Sequence, residues 1–230
     1  MQFLEINGLG KVEVKKSARA KHIILSIKPD GQPKITLPQR VPLYFAKQHI
    51  SKHKDWILKH SKPQEVRLIS NNLQIGQNHS LKFQIGDKLA SRVNQDSITV
   101  TYPFNLKIDD DAVQAEAKKA ATRAIRRQAE LYLPSKLYTM AQNYGYEFKE
   151  ARVKALKTRW GSCSSEGIIN LNIWLMQLPE ELIEYVLAHE LAHLRHHHHQ
   201  TLFWQEVESL IPDYKQRRKA LKQYRPALMI

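Results

Sequence analysis

The chain has 230 residues, of which 42% are hydrophobic and 25% are charged, and its formal charge is +14. This composition is that of a folded globular protein and excludes disorder as a description of the whole chain. It has no apolar run of roughly 18 residues, so the sequence predicts no membrane-spanning helix. Cys163 is the single cysteine, which excludes an intrachain disulfide and a cysteine-rich metal site.

The first 110 residues are expected to be rich in strands. Residues 23–27 and 34–37 have strand-like patterns on either side of the turn signal Pro29-Asp30-Gly31, so they predict a hairpin. An amphipathic helix is predicted to begin at Pro42 and to end near Ser61. Further short strands are expected over residues 73–76, 81–85 and 98–102.

The rest of the chain is expected to be rich in helices. Aspartates at 109–111 favour the start of a long helix, which Pro134 is predicted to kink or split. Two strands, 151–156 and 168–173, are predicted around a loop that contains residues 159–163. Helices are then expected from Pro179 to about residue 195 and from about 202 to 222. The fold class is therefore α+β, with a soft boundary between regions 1–110 and 111–230.

The positive charge is unevenly distributed along the chain. Residues 1–62 contain 13 basic and 4 acidic side chains, and residues 111–160 contain 11 and 5, whereas residues 161–230 contain 7 and 8. Basic surfaces attract anionic partners, so nucleic acid or a nucleotide is a candidate partner of the basic N-terminal region. Simple solvation of exposed faces explains the same charges equally well.

The chemically most informative segment is His189-Glu190-Leu191-Ala192-His193, a His-Glu-x-x-His motif within the predicted helix that follows Pro179. Side chains four residues apart lie on the same helix face, so His189 and His193 can bind one metal ion. Glu190 lies beside them and can accept a proton from water that the metal activates. The alternative is a pair of surface histidines on an ordinary amphipathic helix.

Two histidines leave a tetrahedral zinc ion in need of a third protein ligand. The next residues offer His196, His197, His198 and His199, and spacing alone does not choose among them. His199 is favoured because it is six residues after His193, which leaves room for a turn and matches the third histidine of a longer motif. Glu206 and Glu208 are further alternatives.

The sequence around this motif resembles the YgjP-like metallopeptidases, zincins that are similar to SprT-like and WLM-type proteases. The resemblance is strongest from Arg159 to Trp204. It rests on the segments His189–Arg195, His199, Phe203-Trp204, Arg159–Ser164, Asn170–Asn172 and Pro212–Arg218, with weaker similarity at Ser17–Lys21, Lys28–Gly31 and Asp55–Ile57. The family often has Pro and Asn or Asp before the third histidine, where this chain has His197-His198.

The resemblance implies a zincin-like hydrolase domain over residues 111–230, with a small sheet and an active-site helix that carries the motif. His189, His193 and His199 would hold one zinc ion, and Glu190 would be the general base. Other divalent transition metals also suit histidine ligands. The implied activity is hydrolysis of a peptide bond in a peptide or protein substrate.

Four secondary features have a functional and a structural interpretation each. Arg159 is a candidate contact for the substrate or the transition state, but a structural ion pair is favoured. Cys163 is expected to be a buried inert thiol rather than a ligand. Strand 168–173 could pair with an extended peptide, provided that it lies at the edge of its sheet. Phe203 and Trp204 are expected to pack the last helix against the motif helix.

Two other functions remain open from the sequence alone. The same metal site could hydrolyse a nucleotide phosphoanhydride, with the basic surface binding the nucleotide. Alternatively, the protein could bind nucleic acid and use the metal structurally, although structural zinc sites usually have four protein ligands. The start of the sequence lacks a secretory pattern and the chain has one cysteine, so a cytoplasmic setting is expected.

Overall fold

A computed structural model describes residues 2–28, 31–61 and 68–226. Their contacts group the chain into two units, Met1–Val66 and Arg67–Ile230. This division precedes the soft boundary near residue 110 that the composition suggests. The reason is that strands between residues 73 and 102 bury their apolar side chains in the same core as the helices that follow.

The N-terminal unit contains a four-stranded sheet and two helices. Its elements are β1 (Gln2–Ile6), β2 (Gly10–Ser17), β3 (Ile24–Ile27), β4 (Pro33–Pro38), α1 (Leu43–Lys52) and α2 (Lys54–His60). The strand order is β1-β2-β4-β3, in which β2 and β4 are parallel. Its core is built from Val12, Val14, Ile35, Leu37, Ala46, Ile50 and Ile57.

Two predictions for this unit can be compared with the structure. Strands β3 and β4 pair antiparallel, which confirms the hairpin, although Pro29 and Asp30 of the predicted turn lie outside the described residues. The single helix predicted after Pro42 is instead two helices, because the chain leaves helical geometry at His53 (φ −111°, ψ 21°).

The second unit begins with another four-stranded sheet, which packs on one long helix. The strands are β5 (Leu73–Ile75), β6 (His79–Ile85), β7 (Ala90–Val93) and β8 (Ser97–Tyr102), in the order β5-β6-β8-β7. The helix α3 (Asp111–Asn143) buries a row of alanines, whose small side chains allow close packing. The sequence predicts that Pro134 kinks or splits this helix. The helix continues through Pro134, so it does not split there, and the kink stays a prediction.

A small three-stranded sheet carries the loop of residues 155–160 and lies beside the motif helix. Its strands are β9 (Glu150–Lys154), β10 (Gly161–Cys163) and β11 (Ile168–Asn172), in the order β10-β11-β9. Strand β11 is therefore internal, and the prediction that its free edge receives a peptide is wrong. Within the described part of the chain, the unpaired edge nearest the motif belongs to β10.

The C-terminal helices complete the unit. A short 3₁₀ helix (Ile173–Gln177) leads to α4 (Glu180–Ala192), which is followed by α5 (Thr201–Leu210) and α6 (Tyr214–Leu221). The expected single helix over 202–222 is two helices, because Pro212 has no N–H to donate and interrupts the hydrogen-bonding pattern. Among the described residues, no helix is long and apolar enough to cross a membrane.

Candidate metal centre

Helix α4 carries the motif to the centre of the second unit. Pro179 precedes its first turn. The carboxylates of Glu180 and Glu181 in that turn interact favourably with the positive end of the helix dipole. Its middle is buried around most of its circumference, as expected of a helix packed between other elements. This burial brings His189 and Glu190, in its last turn, into the interior, while His193 caps the helix.

Three histidines meet at the end of α4. The chain turns after Ala192 and returns His199 to the helix, so that the candidate ligand atoms of His189, His193 and His199 all lie within 4.8 Å of one another. The Nε2 atoms of His189 and His199 are 3.1 Å apart. Three converging imidazoles are the protein ligand set of many catalytic zinc sites.

Two of the three imidazoles are oriented by neighbouring groups. The Nδ1 of His193 is 3.0 Å from the carbonyl oxygen of His196; assigning the proton to Nδ1 leaves Nε2 free to bind a metal. The ring of His199 stacks on Trp204, with centroids 5.6 Å apart and an interplanar angle of 22°. The indole Nε1–H of Trp204 also donates to the carbonyl oxygen of His199, at 3.2 Å.

Phe203 forms the floor of the cluster. Its side chain is fully buried, and its ring centroid lies 4.9 Å, 4.5 Å and 4.7 Å from the ring centroids of His189, His193 and His199, respectively. Phe203 and Trp204 therefore pack α5 against α4, as expected from the sequence, but they also contact the histidines directly. An apolar floor excludes water from one side of the cluster and strengthens electrostatic interactions there.

The environment favours the neutral form of His189 and of His193. Burial, together with the charges of His193 and His199, lowers the pKa of His189 to about 3. Burial is also the largest cause that lowers the pKa of His193, against the opposing hydrogen bond to the carbonyl of His196. A metal binds the neutral imidazole, so this environment suits metal binding at neutral pH.

Glu190 is a buried carboxyl group without a hydrogen-bond partner at Oε2 among the residues that the structure describes. Only 4% of the residue is exposed. Burial raises its pKa to about 8, and the positive charge of Arg159 opposes that shift. An unpaired buried carboxyl group is costly for folding, and such groups are characteristic of functional sites.

Gly161 makes room for this carboxyl group. A Cβ atom at position 161 would lie 2.6 Å from Oε1 of Glu190 and 2.8 Å from its Cδ, which is closer than real Cβ contacts allow. The absence of a side chain therefore allows β10 and Glu190 to approach each other. Gly161 lies in the family-like segment Arg159–Ser164, but the sequence does not reveal this contact, because it joins residues 29 positions apart.

Asn172 is a second residue whose role the sequence did not reveal. It is fully buried at the end of β11, and its side-chain amide donates to the carbonyl oxygens of Leu156 and Arg159, both at 2.8 Å. Its side-chain oxygen accepts from the backbone N–H of Leu156 and of Trp174. Asn172 therefore fixes the loop that precedes β10. Its place in the family-like Asn170–Asn172 segment was the available signal.

The alternative third ligands lie outside the three-histidine group. Glu206 accepts from Arg195 at 2.6 Å and from the hydroxyl of Tyr146, and Glu208 is 3.7 Å from Lys215. Among the described residues, the group of metal-binding geometry consists of His189, His193 and His199, so the side chains of residues 196–198 are not part of it.

Arg159 and Cys163 flank the cluster without belonging to it. Arg159 is exposed and forms no ion pair with a carboxylate in the described part of the chain, which does not support the favoured structural pairing. Cys163 is a free, partly buried thiol whose pKa is raised to about 11 by burial and by Glu190. That shift agrees with an inert thiol.

Comparison with known proteins extends the sequence resemblance. The family model described as "YgjP-like, metallopeptidase domain" matches residues 21–224, which is most of the chain. No curated protein matches the chain significantly. Two solved structures are similar to part of it. The metallopeptidase zymogen of Pyrococcus abyssi abylysin is 30% identical (TM-score 0.36) over 40% of this chain and 93% of its own. The metallopeptidase zymogen of Methanocaldococcus jannaschii jannalysin is 19% identical (TM-score 0.36) over 40% of this chain and 94% of its own.

Proposed function

Because the chain belongs to the YgjP-like metallopeptidase family, we propose that it is a zinc-dependent peptidase whose catalytic centre lies at the end of α4. Family membership supports a metal-dependent hydrolase that acts on peptides or proteins. The proposal further specifies zinc as the metal, three histidines (His189, His193 and His199) as its ligands and Glu190 as the catalytic base. The observation that carries it is the convergence of three imidazoles beside a buried carboxyl group with an unpaired oxygen.

The residues at the cluster fit a zinc ion. His189, His193 and His199 offer three nitrogen ligands, and no fourth histidine, cysteine or carboxylate among the described residues joins them. Three protein ligands leave one tetrahedral position for water or substrate, whereas a structural zinc site is usually closed by four protein ligands. When bound, the zinc ion would polarise the scissile carbonyl group and lower the pKa of water.

Glu190 is the proposed general base. Its carboxylate accepts the proton of the attacking water and delivers that proton to the leaving amine. The buried position matches this role, because a carboxyl group with a raised pKa holds a proton more readily than an exposed one. Gly161 keeps the carboxyl group close to β10, and Arg159 adds a positive charge nearby.

Strand β10 is the proposed docking edge for the peptide. It pairs with β11 on one side only, and Gly161 in this strand contacts Glu190. An extended peptide that added to the free edge would form main-chain hydrogen bonds with β10. Its backbone would then pass directly beside the proposed catalytic base.

The test compares Glu190→Gln with the unmodified protein. We expect both proteins to bind one zinc ion, measured by metal analysis after gel filtration, because the three histidines remain. Hydrolysis of an unstructured protein, followed by mass spectrometry, should fall by about 10²–10⁴-fold, the typical contribution of a general base. His197→Ala is a matched control, since His197 is exposed and outside the cluster. Full peptidase activity in Glu190→Gln would overturn the proposal.

A further inference from the structure

A positively charged cavity of about 480 Å³ lies between the loop that precedes β10 and the C-terminal end of α6. Its lining includes four basic residues, Lys157, Arg218, Lys222 and Arg225, and no carboxylate. The remaining walls are largely apolar and include Trp160 and Tyr224. A concave surface with one sign of charge and apolar walls concentrates the field on a ligand of opposite charge.

The four cations are not neutralised by the protein. Across residues 2–28, 31–61 and 68–226, none of their side chains forms an ion pair or a hydrogen bond with another residue. Their neighbour Arg217 behaves differently, because it is 2.9 Å from Asp213 and 3.1 Å from Glu184. Arg217 therefore stabilises the fold through its ion pairs. The four basic side chains that line the cavity are instead available to bind a ligand.

The cavity adjoins the candidate metal centre on two sides. The guanidinium of Arg218 lies 4.2 Å above the ring of Trp204, which in turn stacks on His199. Trp160, on the other wall, immediately precedes Gly161 and β10. A peptide aligned along the free edge of β10 would therefore pass the mouth of the cavity.

We propose that this cavity is a specificity subsite that receives an acidic side chain of the peptide substrate close to the scissile bond. The proposal rests on the proposed peptidase function. A carboxylate would form charge-assisted hydrogen bonds with Arg218 or Lys222, and its carbon chain would pack on Trp160 and Tyr224. Strand β10, which follows Trp160, then aligns the peptide backbone, and the cavity selects peptides that carry an acidic side chain at the facing position.

The experiment measures peptide binding in a variant that is not expected to cleave the peptide. Two short peptides that differ at one position, glutamate in one and glutamine in the other, are titrated into zinc-loaded Glu190→Gln by calorimetry. The same substitution is moved along the peptide one position at a time. At one position, we expect the glutamate peptide to bind about tenfold more tightly, the effect of one charge-assisted hydrogen bond. The difference should shrink in high salt.

Matched variants locate the effect. Lys222→Glu and Arg218→Gln, each placed in the Glu190→Gln background, should abolish the preference for glutamate. Lys219→Gln removes a positive charge from the same helix outside the cavity, so the preference should persist. Both Arg218 and Lys222 are exposed, but Arg218 also contacts Trp204 and Lys222 does not. Using both variants therefore separates loss of the positive charge from a disturbance of Trp204.

The outcomes separate the subsite from the peptidase function. Equal binding of the two peptides at every position overturns the subsite, even if the unmodified protein cleaves peptides. A glutamate preference that depends on Lys222, in a protein that cleaves no peptide, supports an anion-binding cavity and overturns the peptidase function. Lys222-dependent binding and hydrolysis of a nucleoside triphosphate, with no peptide bound, overturns the acidic-peptide proposal.

Discussion

The two ends of helix α4 use polar groups in opposite ways. In its first half, Glu180 and Glu184 lie 2.8 Å and 3.0 Å from the ammonium group of Lys136, and Glu184 also contacts Arg217. In its last turn, Glu190 is buried with an unpaired oxygen beside the three imidazoles of the cluster. Paired charges at one end stabilise the helix, whereas unpaired groups at the other end are what a reaction or a metal requires.

Of the three variants that test this comparison, Gly161→Ala is expected to cause the largest loss of peptidase activity. It tests the end of α4 that carries Glu190. The added Cβ would lie 2.6 Å from Oε1 of Glu190, so the carboxyl group must move. Peptidase activity should fall by about 10²-fold, because a displacement of about 1 Å disrupts catalytic geometry, while zinc content stays at one ion. Ser162→Ala on the same strand adds no atoms and is the control. Unchanged kcat in Gly161→Ala would show that the position of Glu190 is unimportant.

A smaller effect is expected from Trp204→Phe. The substitution keeps an aromatic ring near His199 but removes the N–H that donates to the carbonyl oxygen of His199. Zinc affinity, measured by competition with a chelator, should weaken by about tenfold, as is typical when groups that orient metal ligands are removed. Trp174→Phe removes an indole from the same core outside the cluster and should leave zinc affinity unchanged. Equal weakening in both variants would indicate a general packing effect.

The smallest effect is expected from Lys136→Gln at the other end of the helix. Burial raises the pKa of Glu184, but its hydrogen bonds with Lys136 and Arg217 outweigh burial and lower the pKa overall. The ionised carboxylate therefore contributes to stability above the ordinary pKa range of a glutamate, and the contribution is lost as pH falls through the lowered pKa.

Lys136 and its partners are about one-third exposed, so screening limits the expected loss of unfolding free energy to about 1 kcal/mol at neutral pH. Denaturant unfolding should show that the difference between Lys136→Gln and the unmodified protein shrinks in acid. Peptidase activity should not change, because Lys136 pairs with Glu180 and Glu184 in the first half of α4 and is not part of the three-histidine group. A loss of activity without a loss of stability would contradict the division of α4 into two functions.

Local patterns were sufficient to predict the motif helix. Its apolar periodicity, the preceding Pro179 and the spacing of His189 and His193 are encoded within about 15 residues. The preference for His199 rests on its spacing of six residues from His193 and on the third histidine of the longer motif, because the chain must turn to bring it back to the helix. The structure places all three histidines together, and their role as ligands remains a prediction.

Features that depend on distant segments were not predictable from local patterns. The strand order that makes β10 the edge involves β9, which precedes it, and β11, which follows it. The contact between Gly161 and Glu190 likewise forms only when the sheet packs on α4. Residues 161–230 are nearly neutral in sequence, with 7 basic and 8 acidic side chains. Folding nevertheless brings Lys157 together with Arg218, Lys222 and Arg225 in one cavity.

We propose that the end of α4 holds one metal ion through three histidines and no other protein group. Anomalous diffraction at the zinc edge, from crystals of the zinc-loaded protein, tests it most directly. We expect one strong peak bonded to nitrogen atoms of His189, His193 and His199, with Glu190 close by but not bonded to the metal. A fourth protein ligand, or Glu206 in place of His199, would contradict it.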